Sequence, residues 1–175
     1  KYLGHMISVK GVQPQQSKVD VIKKVHGPEN ISELKSFIGL LNYYGGFVPN
    51  LSAQLHPLYS LLHHRADWVW SKECEQAFEH VKNVIAGDKV LVHYDANLPL
   101  VLSVDRSPYG IGCVLSHRFP DGSEKPIAFA SRTLNAAEKN YAQIEKEGLA
   151  IVFGIKKFHC ISMAANFFWS LTMSP

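Results

Sequence analysis

Two stretches of sequence decide the fold: LPLVLSVDRSPYGIGCVLSHRFPDG at residues 98–122 and LNAAEKNYAQIEKEGLAIVFGIKKFH at residues 134–159. The first contains two apolar runs of strand length, 100–105 and 111–117. Asp121 and Gly122 then predict a hairpin turn into a third strand, 127–131, because glycine supplies the positive φ of such turns. In the second stretch apolar residues recur every three or four positions, which predicts a long helix over 135–159.

The residues before these stretches predict a hairpin and a compact helical unit. Residues 2–8 alternate apolar and polar side chains ahead of a Lys-Gly turn, as a strand does, and residues 90–94 have the pattern of another strand. Apolar residues at helical spacing follow each of three candidate N-caps, Ser17, Asn30 and Ser71. The same spacing over residues 51–62 predicts one more helix. The predicted fold class is therefore α+β, with a helical unit followed by a three-stranded antiparallel sheet and one long helix.

Composition limits the possible functions without choosing one. The chain has 175 residues, 46% of them hydrophobic, and a net charge of +3, which is too small to indicate a nucleic-acid partner by itself. Its three cysteines form no CxxC pair, so we expect reduced thiols, an intracellular protein (cytoplasm or nucleus) and no zinc site. No apolar run approaches the roughly 20 residues that span a bilayer, so no membrane partner is expected.

Asp105 is the first candidate site residue. In the strand 100–105 the leucines and Val104 share one face, which leaves Ser103 and Asp105 on the other. Gly110 and Gly112 on the next strand remove side chains nearby, which lets a bulky ligand or a backbone segment approach the sheet. The pattern alone favours a simpler interpretation, in which Asp105 caps the turn that follows it.

Glu147 is the second candidate. It lies three residues after Ile144 and four before Ile151, so it borders the predicted buried stripe of the long helix. A solvated helix edge is the alternative interpretation. If Glu147 and Asp105 converge, their oxygens suit Mg²⁺ or Mn²⁺, the hard cations that carboxylates prefer.

Several motifs in a fixed order carry a resemblance to a known family. They are YLGHMIS at 2–8, SELKSFIGLLNYYGGFVPNLS at 32–52, WVWSKECEQAFEHVK at 68–82, SVDRSPYGIGCVLSH at 103–117, PIAFASRTL at 126–134 and NYAQIEKEGLAIVFGIKKFH at 140–159. Together they resemble the pol polyprotein of gypsy-type long-terminal-repeat retrotransposons, from the end of reverse transcriptase into ribonuclease H. The resemblance implies that 1–86 is the palm end and thumb/connection segment and that 87–159 is the N-terminal part of a ribonuclease-H-like domain.

The resemblance also implies a function. It is metal-dependent hydrolysis of RNA in RNA–DNA hybrids during reverse transcription, with two Mg²⁺ (or Mn²⁺) ions and with Asp105 and Glu147 as catalytic acids and metal ligands. The implied partners are the RNA–DNA hybrid or primer–template and the rest of the pol polyprotein. The residues expected to contact nucleic acid are Tyr2, Gly4, His5, Lys35 and Ser107. The alternative is a catalytically inactive remnant that at most binds nucleic acid.

The sequence departs from the family pattern at several positions. Arg106 stands where the family usually has alanine after the first acid, so its guanidinium either competes with the ion or points away. The aspartates of the polymerase would precede Lys1, so we do not expect this chain to polymerise.

After residue 159 the family has a strand that ends in a third acid, whereas this chain has CISMAANFFWSLTMSP at 160–175. Permitted codons for that tail, read in a shifted frame, give YLYGRKFLLVTDHEP. We therefore predict a frameshifted tail over 160–175, without the third acid and with an exposed sheet edge in place of the fourth strand. Sequencing the gene tests this prediction.

Overall fold

A computed structural model describes residues 4–63, 67–87, 90–163 and 170–173. The chain begins with an antiparallel hairpin, β1 (His5–Ser8) and β2 (Gly11–Pro14). Leu91 pairs with Val12 of β2 through two backbone hydrogen bonds of 2.7 and 2.9 Å. The strand predicted over 90–94 is reduced to this single bridge, because the next residue, Val92, donates to Pro126 O and takes the chain across to the main sheet.

In its described residues, the helical unit has one 3-10 helix, Gly45–Phe47, and five α-helices: α1 (Gln16–Lys24), α2 (Ile31–Tyr43), α3 (Leu51–Gln54), α4 (His56–Ser60) and α5 (Lys72–Ala86). The predicted caps at Asn30 and Ser71 are confirmed, since each side chain accepts a backbone N–H in the first turn of its helix. The cap at Ser17 is wrong, because the N-cap of α1 is Gln15, two residues earlier, and Ser17 Oγ accepts a hydrogen bond from the side-chain amide of Gln15. The single helix over 51–62 is divided at Leu55 into two short ones.

The main sheet has three antiparallel strands, β3 (Leu100–Arg106), β4 (Gly110–Arg118) and β5 (Glu124–Thr133), as predicted. A fourth strand, β6 (Ser170–Met173), lies parallel to β3 and gives the order β5-β4-β3-β6. The expected absence of a fourth strand is therefore wrong, because the tail itself pairs with β3 and covers its edge. The frameshift and the domain boundaries at 86/87 and 159/160 stay predictions.

The long helix α6 (Gln143–Met163) crosses one face of this sheet. It starts eight residues later than predicted because Glu138–Asn140 forms a short 3-10 turn first and Tyr141 is extended. A Cβ built on Gly154 of α6 would lie 3.1 Å from Leu102 Cδ2 and 3.3 Å from Cys113 Cβ. The helix therefore packs closely on the face that carries Leu102 and Cys113.

The helical unit packs on the other face of the sheet. Ser52 of α3 places its backbone N and its Oγ each 3.0 Å from Ser131 Oγ of β5. The ring of His56 stacks on that of Tyr109, with 3.7 Å between centroids. Two hydrophobic clusters result, one within the helical unit and one between the sheet and α6.

Candidate functional site

Asp105 is the penultimate residue of β3, and both of its carboxylate oxygens are engaged. Oδ2 accepts a hydrogen bond from Asn50 Nδ2, and Oδ1 accepts one of 2.7 Å from the backbone N of Arg106. An open cleft of about 230 Å³ lies beside it, and Ser103, Val114 and Phe129 are among the residues that line this cleft. Asp105 is half-buried and faces the helical unit.

Asn50 fits into a space that a glycine leaves open. It has left-handed backbone angles, φ 48° and ψ 35°, and immediately precedes α3. Gly112 stands directly opposite Asp105 across the β3–β4 pair, and a Cβ there would lie 1.6 Å from Asn50 Oδ1. The room that the sequence predicted beside Gly112 is therefore filled by Asn50.

Glu147 lies in the second turn of α6 and contacts a different partner. Its Oε1 accepts a hydrogen bond of 3.0 Å from Arg106 Nε. The side chain of Glu147 is 22% exposed and that of Arg106 is 31% exposed, so solvent screens this ion pair only in part.

Arg106 contacts both acids, but it does so on two faces of the sheet. Side chains alternate along a strand and match directly across an antiparallel pair. Asp105 is opposite Gly112 and faces Asn50, whereas Arg106 is opposite Ile111, on the face that packs against α6. The strand thus directs Asp105 toward the helical unit and leaves Glu147 on the other side with the guanidinium.

The predicted nucleic-acid contacts lie in different surroundings. His5 stacks on Tyr43 and Phe47 within the helical unit, with 5.3 and 5.4 Å between ring centroids. Gly4 has φ +74° and lies beside the hydroxyl groups of Tyr43 and Tyr44, whereas Lys35 is exposed on α2.

Ser107 is half-buried, and its Oγ accepts the backbone N of Gly110 at 3.0 Å, which fixes the β3–β4 turn. Tyr2 lies outside the described residues. The nucleic-acid roles of all five residues stay predictions.

The described residues do not fit a resident divalent ion as they stand. Mg²⁺ and Mn²⁺ need carboxylate oxygens that are free to coordinate. Here Asn50 and a backbone N–H hold Asp105, and a guanidinium holds Glu147. Over residues 4–63, 67–87, 90–163 and 170–173, no group of three His, Cys, Asp or Glu side chains could hold a metal.

Cys113 is part of the core between the sheet and α6, and it is also among the residues that line the cleft beside Asp105. Burial between the sheet and α6 raises the pKa of its thiol to about 12, so the thiol stays protonated. Among the residues that the structure describes, no helix is long and apolar enough to cross a membrane.

Comparison with known families identifies the sheet and the long helix. Residues 70–168 match the RNase H-like domain found in reverse transcriptase. The chain belongs to this family. The Transposon Tf2-3 and Tf2-4 polyproteins of Schizosaccharomyces pombe are each 35% identical over 156 residues, 89% of this RNase H-like chain and 12% of their own length. The chain therefore spans about an eighth of these relatives.

Two solved structures are similar to this RNase H-like chain over almost its whole length. The foamy viral protease-reverse transcriptase dRH in complex with double-stranded DNA has a TM-score of 0.79 and 26% identity, and covers 98% of this chain and 30% of its own. The foamy viral protease-reverse transcriptase in complex with RNA/DNA hybrid has a TM-score of 0.77 and 26% identity, over 98% and 23% respectively.

The sequence singled out Asp105, Glu147 and Arg106, but it left open what the guanidinium contacts and did not indicate Asn50. Asn50 gave no signal, because the contact joins residues 55 positions apart across two structural units. The strand pattern does direct Arg106 away from Asp105: the two residues are adjacent in the strand, so alternation places Arg106 on the face of Leu102 and Val104.

Proposed function

We propose that this chain binds RNA–DNA hybrid or primer–template as the RNase-H-like part of a retrotransposon reverse transcriptase, together with the rest of the pol polyprotein. The observation that carries the proposal is the similarity over 98% of the chain to foamy viral protease-reverse transcriptase, which has been solved with double-stranded DNA and with RNA/DNA hybrid. Proteins bind such duplexes through contacts to the phosphates and the 2′-hydroxyls, so binding depends on the shape of the duplex and on positive charge at the protein surface.

The contacts at the two acids favour binding without cleavage. Hydrolysis of the RNA strand with Mg²⁺ or Mn²⁺, with Asp105 and Glu147 as catalytic acids, is the second candidate function, and its support is the motif match at both residues. Protein donors contact both oxygens of the Asp105 carboxylate and Oε1 of Glu147 in the present arrangement. We therefore propose hybrid binding as the activity of this chain and hydrolysis as its alternative.

One experiment separates the two functions. A fluorescent RNA–DNA hybrid is titrated with the chain over a range of salt concentrations, and then incubated with it in Mg²⁺ or Mn²⁺ and run on a denaturing gel. We expect the binding constant K to fall as salt is added: for each phosphate contact, log K should drop by about 0.7–0.9 for every tenfold increase in salt concentration. We expect no cleavage beyond that of an Asp105→Asn control.

Two results would contradict this expectation. RNA cleavage that disappears in Asp105→Asn establishes hydrolysis in place of simple binding. Failure to bind the hybrid at low salt refutes the proposed function altogether.

An intracellular location is a further proposal. Cys74 and Cys113 are buried free thiols, as expected in a reducing compartment. The test is to express a tagged chain in cells and to measure the tag in the cytoplasmic fraction, in the nuclear fraction and in the medium. We expect it in one of the two cell fractions.

A further inference from the structure

The observation behind this inference is the position of the Arg106 side chain. Its Nε lies 3.0 Å from Glu147 Oε1, and its own backbone N lies 2.7 Å from Asp105 Oδ1. The family resemblance leads one to expect alanine at this position, and alanine would leave Glu147 without this partner. A positively charged group of the protein therefore contacts Glu147, one of the two acids that the family pattern implies as metal ligands.

Arginine is well suited to hold such a place permanently. Its guanidinium stays charged at any pH that the protein survives, and a charge-assisted hydrogen bond to a carboxylate is roughly twice as strong as a neutral one. A divalent ion that approaches Glu147 must displace the guanidinium, and it is repelled by that charge for as long as the two remain close. The pair is partly buried, which makes both effects stronger than at an open surface.

We propose that Arg106 is a built-in counter-ion for Glu147 that takes the place of a divalent metal and keeps the ion out. The inference rests on the proposed function only in treating Asp105 and Glu147 as the site. It follows that removing the guanidinium turns Glu147 into a metal ligand. This role of Arg106 concerns metal affinity and needs no nucleic acid.

The test is a titration of the full chain with Mn²⁺, followed through the electron paramagnetic resonance signal of the free ion. We expect weak binding by the unaltered chain, and binding at least roughly tenfold tighter by Arg106→Ala, the size of effect that loss of one charge-assisted hydrogen bond gives. Arg106→Gln keeps much of the side-chain volume without the charge and is expected to behave in the same way. If circular dichroism shows that Arg106→Ala does not fold, Arg106→Gln is used in its place.

Two control variants identify the cause of the change. Arg118→Ala removes an arginine of a different ion pair, with Glu124, and lowers the formal charge of +3 by the same single unit. It is expected to bind Mn²⁺ as weakly as the unaltered chain. Adding Glu147→Gln to Arg106→Ala is expected to abolish the gain, because the new ligand is then absent.

Three results overturn the inference. The first is Mn²⁺ affinity that is unchanged in both Arg106 variants. The second is an equal gain in Arg118→Ala, which makes net charge the cause. The third is a gain that survives Glu147→Gln, which places the ion elsewhere. Failure of the hybrid-binding experiment affects none of these readings, since the titration contains no nucleic acid.

Discussion

Gly112→Ala tests whether Asn50 really fills the space opposite Asp105. The new methyl group would lie 1.6 Å from Asn50 Oδ1 and 2.8 Å from Asn50 Cγ, so the asparagine side chain has to leave. Its departure removes the hydrogen bond to Asp105, worth about 1.5–3 kcal/mol for a charged acceptor, and repacking of a tight contact costs about 1–3 kcal/mol. Because a single movement relieves the clash and breaks the bond, we expect a net loss of about 2–3 kcal/mol.

The assay is urea denaturation of the full chain, followed by tryptophan fluorescence and by far-ultraviolet circular dichroism. The fluorescence comes from Trp68 and Trp70, which pack in the helical unit, and from Trp169, which immediately precedes β6 in the sequence, whereas circular dichroism reports on the secondary structure of both units. A fall in the midpoint without a change in slope would mean that stability changed and the unfolded state did not. Coincident transitions from the two probes allow a single free energy of unfolding to be assigned.

A double-mutant cycle identifies the mechanism. Asn50→Gly removes the side chain while tolerating the left-handed backbone angles, and in that background the methyl group added by Gly112→Ala has no side-chain amide to displace. We expect the double variant to be about as stable as Asn50→Gly alone, which gives a coupling of at least about 1 kcal/mol. A Gly112→Ala variant that loses less than about 0.5 kcal/mol, or costs that simply add, would refute this reasoning.

Two further predictions concern α6 and its approach. The methyl group added by Gly148→Ala has no neighbouring atom within 4 Å, so this variant should raise the free energy of unfolding by about 0.5–1 kcal/mol, as measured by thermal unfolding. Gly154→Ala should give a smaller gain, because its methyl group would lie 3.1 Å from Leu102. Equal gains in the two variants would contradict the close packing of α6 at Gly154. Hydrogen bonds from Arg132, then from a backbone N–H, lower the pKa of Glu138. Glu138→Gln should therefore cost about 1–2 kcal/mol at neutral pH, and this deficit should vanish as the pH falls below the ordinary value of 4.5 through the lowered pKa of the folded state. A deficit that is constant from pH 7 to pH 3 would refute the link to ionisation.

Most of the fold could be predicted from local patterns. The alternation over 100–117, the Asp-Gly turn and the caps at Asn30 and Ser71 each depend on residues close in sequence, and each appears in the structure. The errors arise where distant contacts decide. Residues 90–94 lack a strand because they bridge two sheets, and β6 forms because the edge of β3 offers backbone groups to any extended segment within reach.

The candidate site could be predicted only in part, for a reason that lies in strand geometry. Asp105 and Arg106 are adjacent in the chain, so the period of two sends them to opposite faces, one against Asn50 and the other against Glu147. The sequence singled out Arg106 as well, but it left open whether the guanidinium competes with an ion or points away. Because the guanidinium of Arg106 is hydrogen-bonded to Glu147, its charge decides whether Glu147 is available to a metal ion. The departure from the family pattern at Arg106 is therefore more informative about this chain than the matches on either side of it.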